Sequence, residues 1–248
     1  MRKNYSPLNR LSIVLSLGLL IVMQTSFAQN RLSKPTGQVQ RYPWSGQTDL
    51  KAEKTDKRNR FSKTFEKTDG TSRMYTSTGS LHYASNNGWQ EIGVAINPNT
   101  SGLHTANPYF NGDNSFKTYY PQHPVNGTLF TRLQEGELAE NLDAVYAEDI
   151  NGNTVYQYTS NATAGVQVDG SKITYTNLFP YADLSYTQGS DGRKLDLVIN
   201  SQQFLNNLPA NAQFLVLKEK ITLPNGWTVL ENEHGLNVYA AGKWMANF

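Results

Sequence analysis

The sequence predicts a mainly β fold: an antiparallel β-sandwich built from hairpins, with at most one or two short helices. Three observations carry this. Short runs of alternating apolar and polar residues recur from Asn59 onward, about 8 to 15 residues apart. Clusters of Gly, Asn, Asp, Ser and Pro bound the runs, where tight turns need them. No long segment carries the 3.6-residue apolar period of a helix, which leaves a sheet-on-sheet architecture.

The first residues follow another pattern. Arg2, Lys3 and Arg10, with no acidic neighbour, precede the apolar run LSIVLSLGLLIVM at Leu11–Met23. Ser26 and Ala28 then sit where a small-x-small cleavage site needs them. Residues 1–28 read as a secretory signal peptide cut after Ala28. Their apolar run is short for a bilayer span, which takes about 20 residues. The absence of cysteine at the cut excludes a lipoprotein anchor. The protein is expected to be secreted, extracellular or on the cell surface, with no transmembrane span in the mature chain.

Charge changes with that cut. The full chain has 22 basic and 20 acidic residues. Losing Arg2, Lys3 and Arg10 leaves 19 basic against 20 acidic, a net charge of −1. Nucleic-acid binding requires a basic surface, so no nucleic-acid partner is expected. The chain has no cysteine, which removes disulfides, thiol catalysis and thiolate metal sites together.

Residues 29–58 are polar and hold 7 basic and 3 acidic residues without an apolar period. They read as a disordered arm, since they cannot bury enough surface to offset their ordering entropy. The remaining residues, 59–248, read as the β-sandwich domain, with two sub-sheets dividing near residue 160. FSKTFE precedes the turn KTDGTS, and SLHYA and WQEIGVAI flank SNNG. Asn151-Gly152 separates LDAVYAEDI from NTVYQYT, the strongest local hairpin signal in the chain. The helical candidates are Gln202–Leu208 and Gly136–Leu142. GLNVYAAGKWMANF ends in an apparent strand pair with no polar tail, so the chain reads as the front part of a longer product.

The stretch LFPYADLSYTQGSDGRKLDLVI at Leu178–Ile199 holds a concentration of charge, and its phase makes it a hairpin. Leu184 and Tyr186 share one face. Leu195, Leu197 and Ile199 share another, opposite Lys194, Asp196 and Val198. QGSDG is the turn, with Asp191-Gly192 placed for positive φ. Asp183 and Asp196 are expected at the surface, within reach of Lys194 and worth well under ~1 kcal/mol each.

Catalytic motifs do not emerge. The strand-to-helix nucleophile elbow and the nucleotide-binding glycine loops are absent. The histidines His82, His104, His123 and His234 are scattered, with no second ligand at metal spacing. The acidic stretch Glu135–Asp149 carries six carboxylates. Asp149, Asn151 and Asn153 alternate as in a calcium loop, but Thr154 stands where glycine belongs and Ser160 where glutamate belongs. The same residues fit a hairpin more simply. No catalytic residue, cofactor or metal ligand is therefore assigned. Tyr119, Tyr120, Trp227 and Trp244 are the candidate ligand-stacking aromatics, although tyrosine also populates sheets for packing reasons alone.

Two stretches carry a likeness: residues 58–92, with SKTF, DG, HY and GWQEI, and residues 173–199, with YTNLFPYADLSY and KLDLVI. Together they resemble the N-terminal β-rich region of large secreted bacterial proteins of the Rhs/YD-repeat, wall-associated kind. The second block is similar to one in gliding-motility-associated surface proteins. The resemblance covers about 60 residues and implies a non-catalytic β module in front of a larger exported protein. YD repeats and a C-terminal sorting segment are not visible here. Two expectations follow. The first is a secreted, non-enzymatic module that acts structurally or in interaction and adhesion at the cell envelope, with other segments of an exported protein as partners. The second is a carbohydrate-binding module for a cell-surface glycan. A secreted glycan hydrolase, which would need two opposed carboxylates in a cleft, has less support.

Overall fold

The computed structural model describes residues 11–17, 43–232 and 235–247. The chain falls into two compact units, one of Leu20–Ile92 and one of Met1–Leu19 with Gly93–Phe248. The units divide at Ile92–Gly93; within the larger one, the chain passes from the first sheet to the second between Gln157 and Gly165. Strands cover most of the described residues, pair antiparallel throughout and leave one four-residue α-helix among them, as the alternation predicts. No helix among the described residues is long and apolar enough to cross a membrane.

Of the segment read as a signal peptide, residues 1–10 and 18–28 lie outside the described residues. Leu11–Leu17 forms strand β1. The expected disordered arm is corrected over the part that is described. There, β2 (Leu50–Glu53) is followed by a 3₁₀ turn at Thr55–Lys57, while residues 29–42 lie outside the description. Strand β2 pairs with β3 (Ser62–Lys67), which pairs with β4 (Ser72–Thr76); β5 (His82–Ser85) and β6 (Gly88–Glu91) make a separate hairpin. Ion pairing orders the polar segment that composition alone assigns to disorder. Arg58 grips Glu53 through two hydrogen bonds of 2.8 and 2.7 Å. Lys63, whose side chain is 4 % exposed, pairs with Glu91 and lies 5.2 Å from the Trp44 ring centre. Trp44, Phe65 and Tyr75 complete a ring cluster with centroids 5.5 to 6.0 Å apart.

The larger unit holds the remaining strands. They begin with β7 (Asn97–Pro98), β8 (Tyr109–Asn111), β9 (Lys117–Tyr120), β10 (Leu129–Arg132), β11 (Glu137–Glu148) and β12 (Thr154–Gln157). Next come β13 (Gly165–Asp169), β14 (Lys172–Phe179), β15 (Ala182–Gln188) and β16 (Arg193–Ile199). After helix α1 (Gln203–Asn206) follow β17 (Phe214–Thr222), β18 (Trp227–Asn232), β19 (Gly235–Ala240) and β20 (Lys243–Asn247). The largest sheet runs β1-β17-β11-β10-β9-β8-β7, with β12 also on β11. A meander of β13 to β16 forms the second sheet and β18 to β20 the third.

The first two sheets share one core. Tyr120, Leu129, Leu142 and Val145 come from the first, and Ile173, Tyr175, Leu184 and Tyr186 from the second. Gly136–Leu142, expected as a helical candidate, is strand instead. Leu138, Glu140 and Leu142 are buried while the residues between them are not, so its true period is two. The other helical candidate does form at α1. Phe204 there is 1 % exposed and stacks on Tyr158 with centroids 4.0 Å apart. Asn151-Gly152 makes the expected turn, with Gly152 at φ 79° and the Asp149 carboxylate accepting the Asn151 and Asn153 backbone N–H groups.

The hairpin of β15 and β16 has the expected pairing, with Leu184 opposite Leu197 and Tyr186 opposite Leu195. Three details differ. Gly192 is not among the positive-φ glycines, because a Gly189 N–H to Gly192 carbonyl bond of 2.8 Å closes the turn in another geometry. Asp183 is not a loose surface charge: it accepts the backbone N–H of Asn177 at 2.7 Å, and Asn177 sits at φ 51°. Ile199 is 38 % exposed, because the core face ends before it does. Lys194 meets Asp196 at 2.7 Å.

Leu184 is fully buried and Val198 is 39 % exposed. Leu184→Ala should therefore cost about 2–5 kcal/mol in urea unfolding, and Val198→Ala under about 0.5 kcal/mol. Similar values for both would contradict the assigned faces.

Candidate functional site

Three charged residues sit in the apolar phase of their strands. Glu140 lies between Leu138 and Leu142 on β11; Glu219 lies between Leu217 and Ile221 on β17. Arg193 starts β16 two residues before Leu195, on the face of Leu195 and Leu197. The period of two turns all three toward the space between the first two sheets. There the Arg193 side chain is 12 % exposed and Glu140 3 %.

The cluster is closely bonded. Arg193 donates to Glu140 Oε2 through Nη2 and to the Thr131 hydroxyl through Nη1 at 3.0 Å. Thr131 in turn donates to Glu140 Oε1 at 2.7 Å. The Arg193 guanidinium carbon lies 5.3 Å from the Tyr186 ring centre, a cation–π contact. The Tyr186 hydroxyl reaches Glu219 Oε1 at 3.4 Å, and the Tyr120 hydroxyl donates to Gln188 Oε1 at 2.8 Å. The Arg193–Glu140, Arg193–Thr131, Tyr186–Glu219 and Tyr120–Gln188 contacts join the larger sheet to the β13–β16 sheet; the Thr131–Glu140 bond lies within the first and the Arg193–Tyr186 contact within the second.

Electrostatics follows from the burial. Pairing places Leu142 opposite Glu219 and Ile221 opposite Glu140, so the two glutamates are diagonal neighbours. Burial first, then the Glu140 charge, raises the Glu219 pKa to about 7; Arg193 and the Tyr186 hydroxyl oppose the rise. Burial also pulls Arg193 down, but Glu140 leads the neighbouring groups that outweigh it, and the guanidinium stays charged. Burial pushes the Tyr120 hydroxyl up to about 12 and Tyr186 well above its usual value. A carboxyl raised toward neutrality, as Glu219 is, has the kind of pKa that acid–base chemistry uses. Glu140, Arg193 and Thr131 are bonded to one another between the two sheets. The arrangement serves as a clamp between sheets.

The four candidate aromatics fall in different places. Tyr119 and Tyr120 are 1 % and 0 % exposed, which corrects their assignment as ligand-stacking platforms. Tyr120 belongs to the clamp. Tyr119 points to the other face of its sheet, packed between Phe110 and His104 with centroids 4.6 Å from each. Trp227 packs over Gly136, where an added Cβ would come within 3.0 Å of the ring. Trp244 is 56 % exposed, and its indole N–H donates to Asn237 at 3.1 Å. Register puts Leu230 opposite Asn237 and Tyr239 opposite Trp244, so the four share the outward face of the β18–β20 sheet. Leu230 is 60 % exposed. The opposite face carries Val238, at 1 %, into the interior.

A cavity of about 300 Å³ lies beside the bulge in β11. Tyr158 and Phe179 form its buried floor, with Asp143, Gln157, Thr159 and Ser160 at its walls. Among the described residues, no group of three or more His, Asp or Glu side chains is arranged to hold a metal. Compared with known proteins, the chain matches no family model, no curated protein and no solved structure.

Sequence reasoning missed the clamp, although a signal was present. A charge in the apolar phase of a strand is unusual, and three occur at Glu140, Arg193 and Glu219. Glu140 enters the sequence reading only within the acidic stretch Glu135–Asp149, and Arg193 and Glu219 are not singled out in it.

Removing one partner strands the other in the interior. Arg193→Ala should cost about 3–5 kcal/mol, and Arg193→Met with Glu140→Leu should cost much less than the two single changes combined; urea unfolding checks both. An additive double variant would remove the clamp. Glu219 gives a pH signature. Its folded pKa lies above its unfolded value, so its contribution is complete below about 4.5 and is lost as pH rises through 7. Relative to Glu219→Gln, the wild type should lose about 1–3 kcal/mol between pH 4.5 and 7.5. Parallel stability curves would contradict this.

Proposed function

We propose that the chain is a secreted, non-catalytic β-sandwich module that acts structurally or in interaction and adhesion at the bacterial cell envelope. The observation that carries this reading is the outward face of the β18–β20 sheet, where Leu230 and Trp244 stand 60 % and 56 % exposed beside Tyr239. Large side chains grouped on one solvent-facing surface mark contact sites. Trp244 suits the role because its bond to Asn237 holds the indole and lowers the ordering cost of binding. The closed clamp supports the non-catalytic side: its perturbed groups are spent on joining sheets. The signal-like start and the likeness of residues 58–92 and 173–199 to exported Rhs/YD-repeat proteins support the envelope location.

Carbohydrate binding is the second reading, favoured by the polar-walled cavity at Asp143 and Ser160. Retention of the whole chain on isolated bacterial envelope fractions tests the first. Trp244→Ala should reduce retention at least fivefold with an unchanged melting temperature. Unchanged retention in that variant, or release of reducing sugar by the wild-type chain, would overturn the proposal.

A further inference from the structure

We infer that the cavity beside the β11 bulge is a binding site for one neutral sugar residue, an inference that rests on the envelope-interaction reading. Its size comes first. At about 300 Å³ it lies at the lower end of ligand sites, enough for one pyranose ring and not for an oligosaccharide.

The lining has the chemistry of that ligand. A pyranose has an apolar face of C–H groups and a rim of hydroxyls. Here part of the lining is apolar, from Val125, Ala144, Tyr158 and Phe179. The Tyr158 hydroxyl points away, bonded to the Phe204 carbonyl at 2.9 Å. The walls are hydrogen-bonding groups of both kinds. Gln157, Thr159 and Ser160 have no side-chain partner among the described residues, so their capacity is open to a ligand.

Charge argues against an ionic ligand. Asp143 Oδ2 is 2.7 Å from Lys218 Nζ, so the only charged wall group is already compensated. An isolated carboxylate would select a cation; a neutralised one, with Oδ1 still able to accept, suits hydroxyls. The bulge between Leu142 and Ala144 takes Asp143 out of the ladder with β17 and aims it to this side.

The wall is also held in place. The backbone N–H of Tyr158 donates to the Val145 carbonyl at 2.9 Å, and that of Asn161 to the Leu178 carbonyl at 2.7 Å. A ring nitrogen of His123 meets the Asn161 carbonyl at 2.9 Å. Thr159 and Ser160 therefore sit on a segment tied at both ends to β11 and β14, a preorganised site.

The test uses the whole chain and saturation-transfer NMR with methyl pyranosides of glucose, galactose, mannose and N-acetylglucosamine, with glucosamine and glucuronate as charged comparators. At least one neutral glycoside should show transfer, with neither charged sugar doing better. Ser160→Phe, which fills the cavity, should weaken binding at least tenfold, and Gln157→Ala, which removes one wall group without filling, at least threefold, with melting temperatures unchanged. Transfer that persists in both folded variants, preference for a charged sugar, or no transfer from any neutral glycoside would overturn the inference. Matching polysaccharides in the same assay separate a chain-end residue from a free monosaccharide. Retention on envelope fractions without monosaccharide binding would sink the cavity site and leave the envelope reading intact; loss of both would sink both.

Discussion

The larger unit depends on one buried ion pair. Arg193 and Glu140 come from different sheets and meet where the apolar phase of both strands calls for leucine-like residues. Two apolar faces of similar composition can slide by one residue pair at modest cost. A guanidinium that must find one carboxylate and the Thr131 hydroxyl has one acceptable position, because any other leaves a buried charge unpaired. The pair thereby ties the register of β16 to that of β10 and β11. Its net contribution to stability is modest, since desolvation offsets much of the attraction. Its larger effect is to penalise wrong arrangements.

The other polar contacts extend that constraint. Tyr120 to Gln188 and Tyr175 to the Pro121 carbonyl cross the same interior, both at 2.8 Å. Glu219 adds a second carboxylate near a single guanidinium, and the interior cannot hold both charges comfortably. Burial first, then the Glu140 charge, raises its pKa, so the interior chemistry of this sandwich is sensitive near neutral pH.

Candidate contact surfaces lie away from this interior, for a related reason. A strand central to a sheet, such as β15, is largely covered, with Ala182, Leu184, Ser185, Tyr186 and Gln188 buried, and has little to offer a partner. The β18–β20 sheet has one face inside, through Val238, and one outside, through Leu230 and Trp244. The cavity lies where the β11 ladder slips at Asp143, beside the Thr159–Ser160 segment that follows β12. Binding capacity therefore collects where regular pairing is interrupted or one-sided.

Alternation and turn residues, read from the sequence, were enough for the β class, the Asn151-Gly152 hairpin, the pairing of β15 with β16 and the short helix near Phe204. Those features depend on contacts within a few residues of chain. Gly136–Leu142 was misread because ELAENL has helix-forming residues, while its burial follows a period of two. The order of residues 50–58 was missed because Arg58 and Glu53 stabilise it by mutual pairing, which composition does not register. The clamp partners were visible as charges in apolar phase, but not as partners. Arg193 meets a carboxylate 53 residues away because two sheets pack face to face, and strand order is not written in any one strand. Tyr119 and Trp244 are both aromatic strand residues in sequence. One is buried and the other exposed because tertiary packing decides which face of each sheet is covered.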